Sequence, residues 1–301
     1  YMNKIISIIA LLLILPIFKV EAYDFVIDEI TYNFTKEHGT VEVSGLREFL
    51  NLEPGDRNSS LPLVVNIPPV VTYKDNKYDV VSIGYAAFQG CRKVTEIKIP
   101  STVREIGEFA FENCILLENM EFPNSLYYLG DFALSKTGVK NIIIPDSFTE
   151  LGKSVFYGCT DLESISIQNN KLRIGGSLFY NCSGLKKVIY GSVIVPEKTF
   201  YGCSSLTEVK LLDSVKFIGE EAFESCTSLV SIDLPYLVEE IGKRSFRGCT
   251  SLSNINFPLS LRKIGANAFQ GCINLKKVEL PKRLEQYRYD FEDTTKFKWI
   301  K

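Results

Sequence analysis

Apolar residues return along this chain in two superimposed rhythms. The short one is alternation over three positions: Ile97-x-Ile99, Met120-x-Phe122, Ile142-x-Ile144, Ile165-x-Ile167, Val188-x-Tyr190, Val209-x-Leu211, Ile232-x-Leu234, Ile255-x-Phe257 and Val278-x-Leu280. A period of two predicts a short strand with one buried face. Proline closes six of the nine runs, at Pro100, Pro123, Pro145, Pro235, Pro258 and Pro281. Proline has no N–H to give a ladder, so it marks a strand end.

The long rhythm is a unit of about 23 residues in which each run keeps its place. An Ile or Leu followed by Gly recurs from Ile83-Gly84 to Ile264-Gly265, with Val195-Pro196 as the one departure. Five residues on stands Phe88, Phe111, Phe156, Phe179, Phe200, Phe223, Phe246 or Phe269, with Leu134 as the exception. Three further on stands Cys91, Cys114, Cys159, Cys182, Cys203, Cys226, Cys249 or Cys272, and Thr137 fills the vacant place. A unit this small cannot bury its own apolar side chains. Stacked copies turn each position into a ladder and make the core continuous. The Gly after the Ile suits a turn with unusual dihedrals.

The pattern Leu-x-x-Ile-x-Ile-Pro…Ile-Gly-x-x-Ala-Phe-x-x-Cys resembles the BspA-like (Treponema pallidum-type) leucine-rich repeats. The resemblance spans residues 83–281, about nine repeats. It implies a leucine-rich-repeat solenoid, right-handed, with short parallel strands on the concave face. It also implies a secreted or cell-surface protein that binds host extracellular or bacterial surface proteins, with adhesion as the expected role. The 21-residue step at Val195-Pro196 and the lost prolines at Gln168, Gly191 and Leu212 predict irregular curvature mid-stack.

The ends follow other rules. Residues 1–22 read as a signal peptide: Asn3 and Lys4, an apolar run from Ile5 to Phe18, then Val20-Glu21-Ala22 as a cleavage site. The run is short for a membrane span and Pro16 interrupts it, so cleavage is expected over an uncleaved anchor, with no integral span afterwards. Residues 23–82 read as a β-rich N-terminal cap. Strands are expected at Phe25–Ile27 and Thr40–Val43, with a turn at His38-Gly39 and a hairpin about Asp75-Asn76-Lys77. Residues 282–301 keep apolar positions without the Gly and Cys and read as a C-terminal cap, though a longer array cut here would look alike.

Composition then narrows the chemistry. Lys plus Arg number 34 against 36 for Asp plus Glu, which gives no bias toward nucleic acid. A single histidine, His38, rules out His-pair metal sites. No phosphate loop, nucleophile elbow or calcium loop is present, so no enzyme and no cofactor or metal is expected. Eight cysteines in an exported chain suggest disulfides. Their equivalence, and a Thr in one place, favour buried reduced fillers over disulfides or metal. The sequons at Asn33, Asn58 and Asn181 matter only in a eukaryotic host.

The candidate functional surface is the outward column of the strands: Lys98, Glu121, Ile143, Ser166, Ile189, Lys210, Asp233, Asn256 and Glu279. It reads either as a solvated face, with Lys98–Glu121 and Lys210–Asp233 as weak pairs, or as a protein-ligand surface centred on Ile143 and Ile189. A glycan is the alternative ligand, with Tyr127 and Tyr128 as stacking residues. A structural envelope component is the third reading.

Overall fold

A computed structural model describes residues 23–46 and 63–300. The expected signal peptide and the Asn58 sequon lie outside the described residues. The chain winds as a parallel β-solenoid of about ten coils, and among the described residues there is a single 3-10 helix, Lys282–Asp290.

Each coil contributes to three ladders. The first is the alternating run. From Leu63–Asn66 and Val94–Lys98 onward these strands pair in parallel, and their inward residues, such as Ile97, Ile165, Val188 and Val278, are buried. In the middle of the stack the strands run further where proline is missing, although Val94–Lys98 and Lys277–Pro281 at the ends have five residues. Ser231–Ile232 and Asn254–Ile255 have two residues, whereas Ser164–Ile167, Lys187–Tyr190 and Glu208–Leu211 have four. Where Gly191 and Leu212 replace proline, their N–H groups donate to Ile167 and Tyr190 one coil back, at 2.7 and 2.8 Å. The lost prolines thus widen the central sheet.

The second ladder is not visible as strand in the sequence. The residue pairs before each Gly, such as Tyr128–Leu129, Glu150–Leu151 and Glu240–Ile241, form two-residue parallel strands. The ladder extends the N-terminal sheet as far as Arg173–Ile174 and restarts at Ile194–Val195. Pro196 accounts for the break. Gly175 and Gly219 each donate an N–H to the preceding coil, at 2.8 Å, and proline has none to give. In this shortened coil the buried Tyr190 hydroxyl donates to the Ile194 carbonyl, at 2.8 Å.

The glycines of this ladder correct an expectation. Their φ values lie outside the left-handed region, and what they supply is room. A Cβ on Gly242 would lie 2.5 Å from the Gly219 carbonyl carbon, and one on Gly265 2.3 Å from the Lys243 nitrogen. The left-handed residues stand elsewhere in the turn. One lies two places after the Gly (Ala86, Phe109, Phe132, Ser154 and their equivalents). The other lies just before the Cys (Gly90, Asn113, Gly158, Asn181 and theirs).

The turn forms the third ladder, in which Phe88, Phe111 and Phe223 donate N–H groups to Ala110, Ala133 and Ser245 one coil on. Beneath it the Phe rings stack face to face, for example Phe223 on Phe246 at 5.1 Å and 2°.

At the N-terminus, strands form at Phe25–Ile27 and Thr40–Leu46, with an unforeseen strand, Ile30–Phe34, antiparallel to both. The hairpin joins Val70–Tyr73 to Asn76–Ile83. Its turn residues are Lys74 and Asp75, both at positive φ, one place earlier than the sequence suggests. At the other end Lys296–Ile300 pairs in parallel with Lys277–Pro281, and Phe291 stacks on Phe269 at 4.5 Å.

Candidate functional site

The middle of the outward strand column forms one paired surface, and its two ends lie on separate short sheets. Ile143, Ser166, Ile189 and Lys210 are cross-strand partners in unbroken register, Lys210 bridges to Asp233, and Glu279 faces Lys298. Lys98, Glu121, Asp233 and Glu279 are exposed, and Ser166 and Ile189 are half-buried. Ile143 is 80% exposed, more than any other large apolar side chain described. It stands on the three-residue edge strand Asn141–Ile143, beside the four-residue proline-free strands.

Two expected ion pairs do not form. Lys98 reaches Glu96 of its own strand at 3.8 Å rather than Glu121. Lys210 and Asp233 meet through backbone only, with no side-chain pair among the described residues. Alternate residues of a strand share a face, so a Lys finds a carboxylate two places along its own strand. The cross-coil pairs that do form on this face are Lys187–Glu208 at 2.7 Å and Glu279–Lys298 at 2.6 Å. All are exposed and contribute at most about 1 kcal/mol each.

Asn256 is less free than its place suggests. Its amide accepts from the Leu234 N–H at 2.6 Å and donates to the Leu234 carbonyl at 3.1 Å. The side chain thereby completes the ladder where the strands are shortest. Shallow hollows flank the column. One of about 460 Å³ is lined by Asn254, Asn256, Lys277, Glu279, Lys296 and Lys298 over Phe297. Another of about 380 Å³ lies among Glu96, Lys98, Asn119 and Glu121.

Tyr127 and Tyr128 do not join this surface. The Tyr127 hydroxyl donates to Glu105, and Tyr128 lies in the second ladder. The turn face, by contrast, carries partly exposed aromatic rings that the repeat pattern does not reveal. They occupy three different repeat positions, so no single repeat position marks them.

The cysteines are buried and unbridged. They are more than fillers. From Cys114 on, each Sγ donates to the backbone carbonyl at the Phe position of the preceding coil, at 2.9–3.2 Å. Thr137 donates to the Leu134 carbonyl of its own coil at 2.8 Å, and its hydroxyl lies 3.3 Å from the Cys159 sulfur. Burial pushes six of the thiols up, among them Cys114 to about 12 and Cys159 to about 11, so these six are protonated and unreactive at neutral pH. Among the described residues no group of three or more His, Cys, Asp or Glu is placed to hold a metal. No described helix is long and apolar enough to cross a membrane.

Stacked parallel strands, close-approach glycines and a Phe–Cys core interrupted only at Leu134 and Thr137 define a repeat protein whose broad surfaces suit it as an interaction scaffold. The BspA type leucine rich repeat region matches residues 81–195 and 193–300, in six copies, and the chain belongs to that family. It is 68% identical to a leucine-rich repeat protein from Bacteroides ovatus, over 93% of this chain and 100% of that one, with a TM-score of 0.62. The leucine rich repeat protein of T. pallidum shares the fold at 23% identity, over 68% of this chain and 90% of that one, with a TM-score of 0.56. No curated protein matches the chain.

Proposed function

We propose that this chain is an exported, non-enzymatic scaffold that uses its outward strand column to bind a protein on a host or bacterial surface. The observation that carries the reading is Ile143. An isoleucine left 80% exposed, in register with Ser166 and Ile189 across the four-stranded sheet, is an apolar centre with a charged rim. Lys98 and Glu121 lie toward one end, and Lys210, Asp233 and Glu279 toward the other. Protein-binding surfaces have this anatomy: a desolvated centre supplies affinity and the polar rim supplies register. The apolar leader at Ile5–Phe18 and the family membership support export.

The test is capture of extracellular and bacterial surface proteins by the whole chain, compared with Ile143→Lys/Ile189→Lys. Both side chains point away from the core, so the double variant should unfold at the wild-type urea midpoint. Loss of a captured partner supports the reading. Unchanged affinity, or binding confined to a glycan array, overturns it.

A further inference from the structure

A stripe of aromatic rings runs over the turn face, away from the strand column: Tyr85, Phe109, Phe132, Tyr157, Tyr180 and Tyr201, one in each of six successive coils. Neighbouring centroids lie 4.6–6.3 Å apart. Tyr85 is 59% exposed and the others are half-buried, so the stripe is distinct from the core Phe ladder.

Its first half is unusual in two respects. Phe109 and Phe132 have φ of +57° and +56°, a region that disfavours bulky side chains. The same turn position holds Ala86, Ser154, Ser177 and Asn267 elsewhere, so the fold does not require an aromatic there. Strained residues of this kind collect at functional sites.

The second respect is charge. Glu108 and Asp131 directly precede the two rings, and Glu112 follows on the far side of the turn. Glu112 accepts from the Gln89 amide, and Asp131 from the backbone N–H of Lys153. Among the described residues none of the three carboxylates has a basic side chain within ion-pair distance. Carboxylates elsewhere on the coils do, as in Glu118–Lys140, Glu163–Lys186 and Glu220–Lys243. The negative field is felt locally. The Tyr128 phenol is pushed up by burial first, then by Asp131, Glu108, Glu150 and Glu105.

We propose that Tyr85, Phe109 and Phe132, with Glu108, Glu112 and Asp131, form a second docking surface, for a basic protein segment in which Arg or Lys alternates with apolar residues. The partner's apolar side chains cover the ring edges and its cations meet the three carboxylates, which have no ion-pair partner among the described residues. Phe109 and Phe132 stack on each other at 5.2 Å and 3°, which covers one face of each, and Tyr85 meets Phe109 edge-on. That arrangement disfavours a sugar, which stacks on faces. The surface shares no residue with the strand column, so either proposal can fail alone.

The probe is a fluorescein-labelled Arg-Leu-Arg-Leu-Arg-Leu peptide titrated with the whole chain at low salt and read by anisotropy. Saturable binding is expected, weakening with added salt. Glu108→Gln/Glu112→Gln/Asp131→Asn and, separately, Phe109→Ser/Phe132→Ser should each weaken it about tenfold or more, equivalent to about 1.4 kcal/mol. Serine occupies the same turn position at Ser154 and Ser177, so the second variant keeps a residue the turn accepts. The control Glu96→Gln/Glu121→Gln/Glu208→Gln removes the same charge from the strand face and should bind as wild type, as should Ile143→Lys/Ile189→Lys. Absence of saturable binding, an equal loss in the control, or retention by either turn-face variant overturns the proposal.

Discussion

The thiol of Cys249 donates to the carbonyl of Phe223, 3.1 Å away and one coil back. The same bond recurs along the stack and couples each coil to its predecessor through the least polar hydrogen-bond donor among the side chains. A serine or threonine would bond more strongly, but a hydroxyl is dearer to bury than a thiol. Cysteine therefore gives a ladder that is dry, compact and still satisfied.

That ladder makes stability depend on alkaline pH. Six of the folded thiols lie above the ordinary thiol range, Cys159 at about 11 and Cys114 at about 12 among them, because burial disfavours the thiolate. The unfolded chain releases these protons first, so its bound-proton count falls below that of the native state. Stability is then fully present below about pH 8.5, the unfolded thiol value, and declines as pH rises toward the folded values. Urea midpoints should be flat from pH 7 to about 8 and fall through pH 9–11. Cys159→Thr, which copies the residue at Thr137, should lessen the fall. A midpoint that does not move across that range would contradict the buried ladder.

Phe223 is fully buried, with Phe200 at 5.0 Å on one face and Phe246 at 5.1 Å on the other. Phe223→Ala should destabilise by about 3–5 kcal/mol, the transfer term plus the cavity. Phe223→Leu, which copies Leu134, should cost about 1.5 kcal/mol or less, because the ladder accepts that shape once already. Equilibrium urea unfolding distinguishes the two. Near-equal midpoints for both variants would show that the ring does not sit in a close-packed stack.

Leu212 occupies a place where most coils have proline, and its N–H donates to the Tyr190 carbonyl at 2.8 Å. Leu212→Pro removes that donor and should shorten Glu208–Leu211 toward the two-residue length of Ser231–Ile232. A loss of about 1–2 kcal/mol is expected from the orphaned carbonyl. Amide exchange should quicken at Lys210 and Leu211 and stay unchanged at Ile142. Protection left intact at Lys210 would mean that proline does not set strand length.

Much of this architecture was legible because the repeat averages out local ambiguity. Ile97, Phe111 and Cys114 each say little alone, but nine copies in step identify buried ladders. What stayed hidden depends on contacts between coils rather than within one. The pairs Glu150–Leu151 and Glu240–Ile241 are too short to show a strand period, and only stacking makes them strands. The Cys249–Phe223 bond joins residues 26 apart in sequence and leaves no local mark. The strand column was readable from alternation, and Ile143, Ser166 and Ile189 do face out together. The pairing of its charges was not, since Lys98 turns to Glu96 and Asn256 folds onto Leu234.

Glycine shows the same limit most sharply, because two glycines of one coil look alike in sequence and differ in cause. At Gly242 a Cβ would meet the Gly219 carbonyl carbon at 2.5 Å and the Glu220 nitrogen at 2.6 Å, both backbone atoms that cannot step aside. At Gly248, with φ of +73°, the nearest atom is the Ser225 hydroxyl at 3.6 Å, so an added methyl has room. Gly248→Ala should therefore cost only the left-handed penalty, about 1–2 kcal/mol. Other coils place Asn181 or Ser225 there without glycine. Gly242→Ala should cost more than about 3 kcal/mol, since relief requires the two coils to part and their hydrogen bonds to stretch. Paired urea titrations of the two variants decide the matter. If Gly248→Ala proves the more damaging, conformational freedom rather than coil-to-coil approach is what the repeated Ile-Gly supplies.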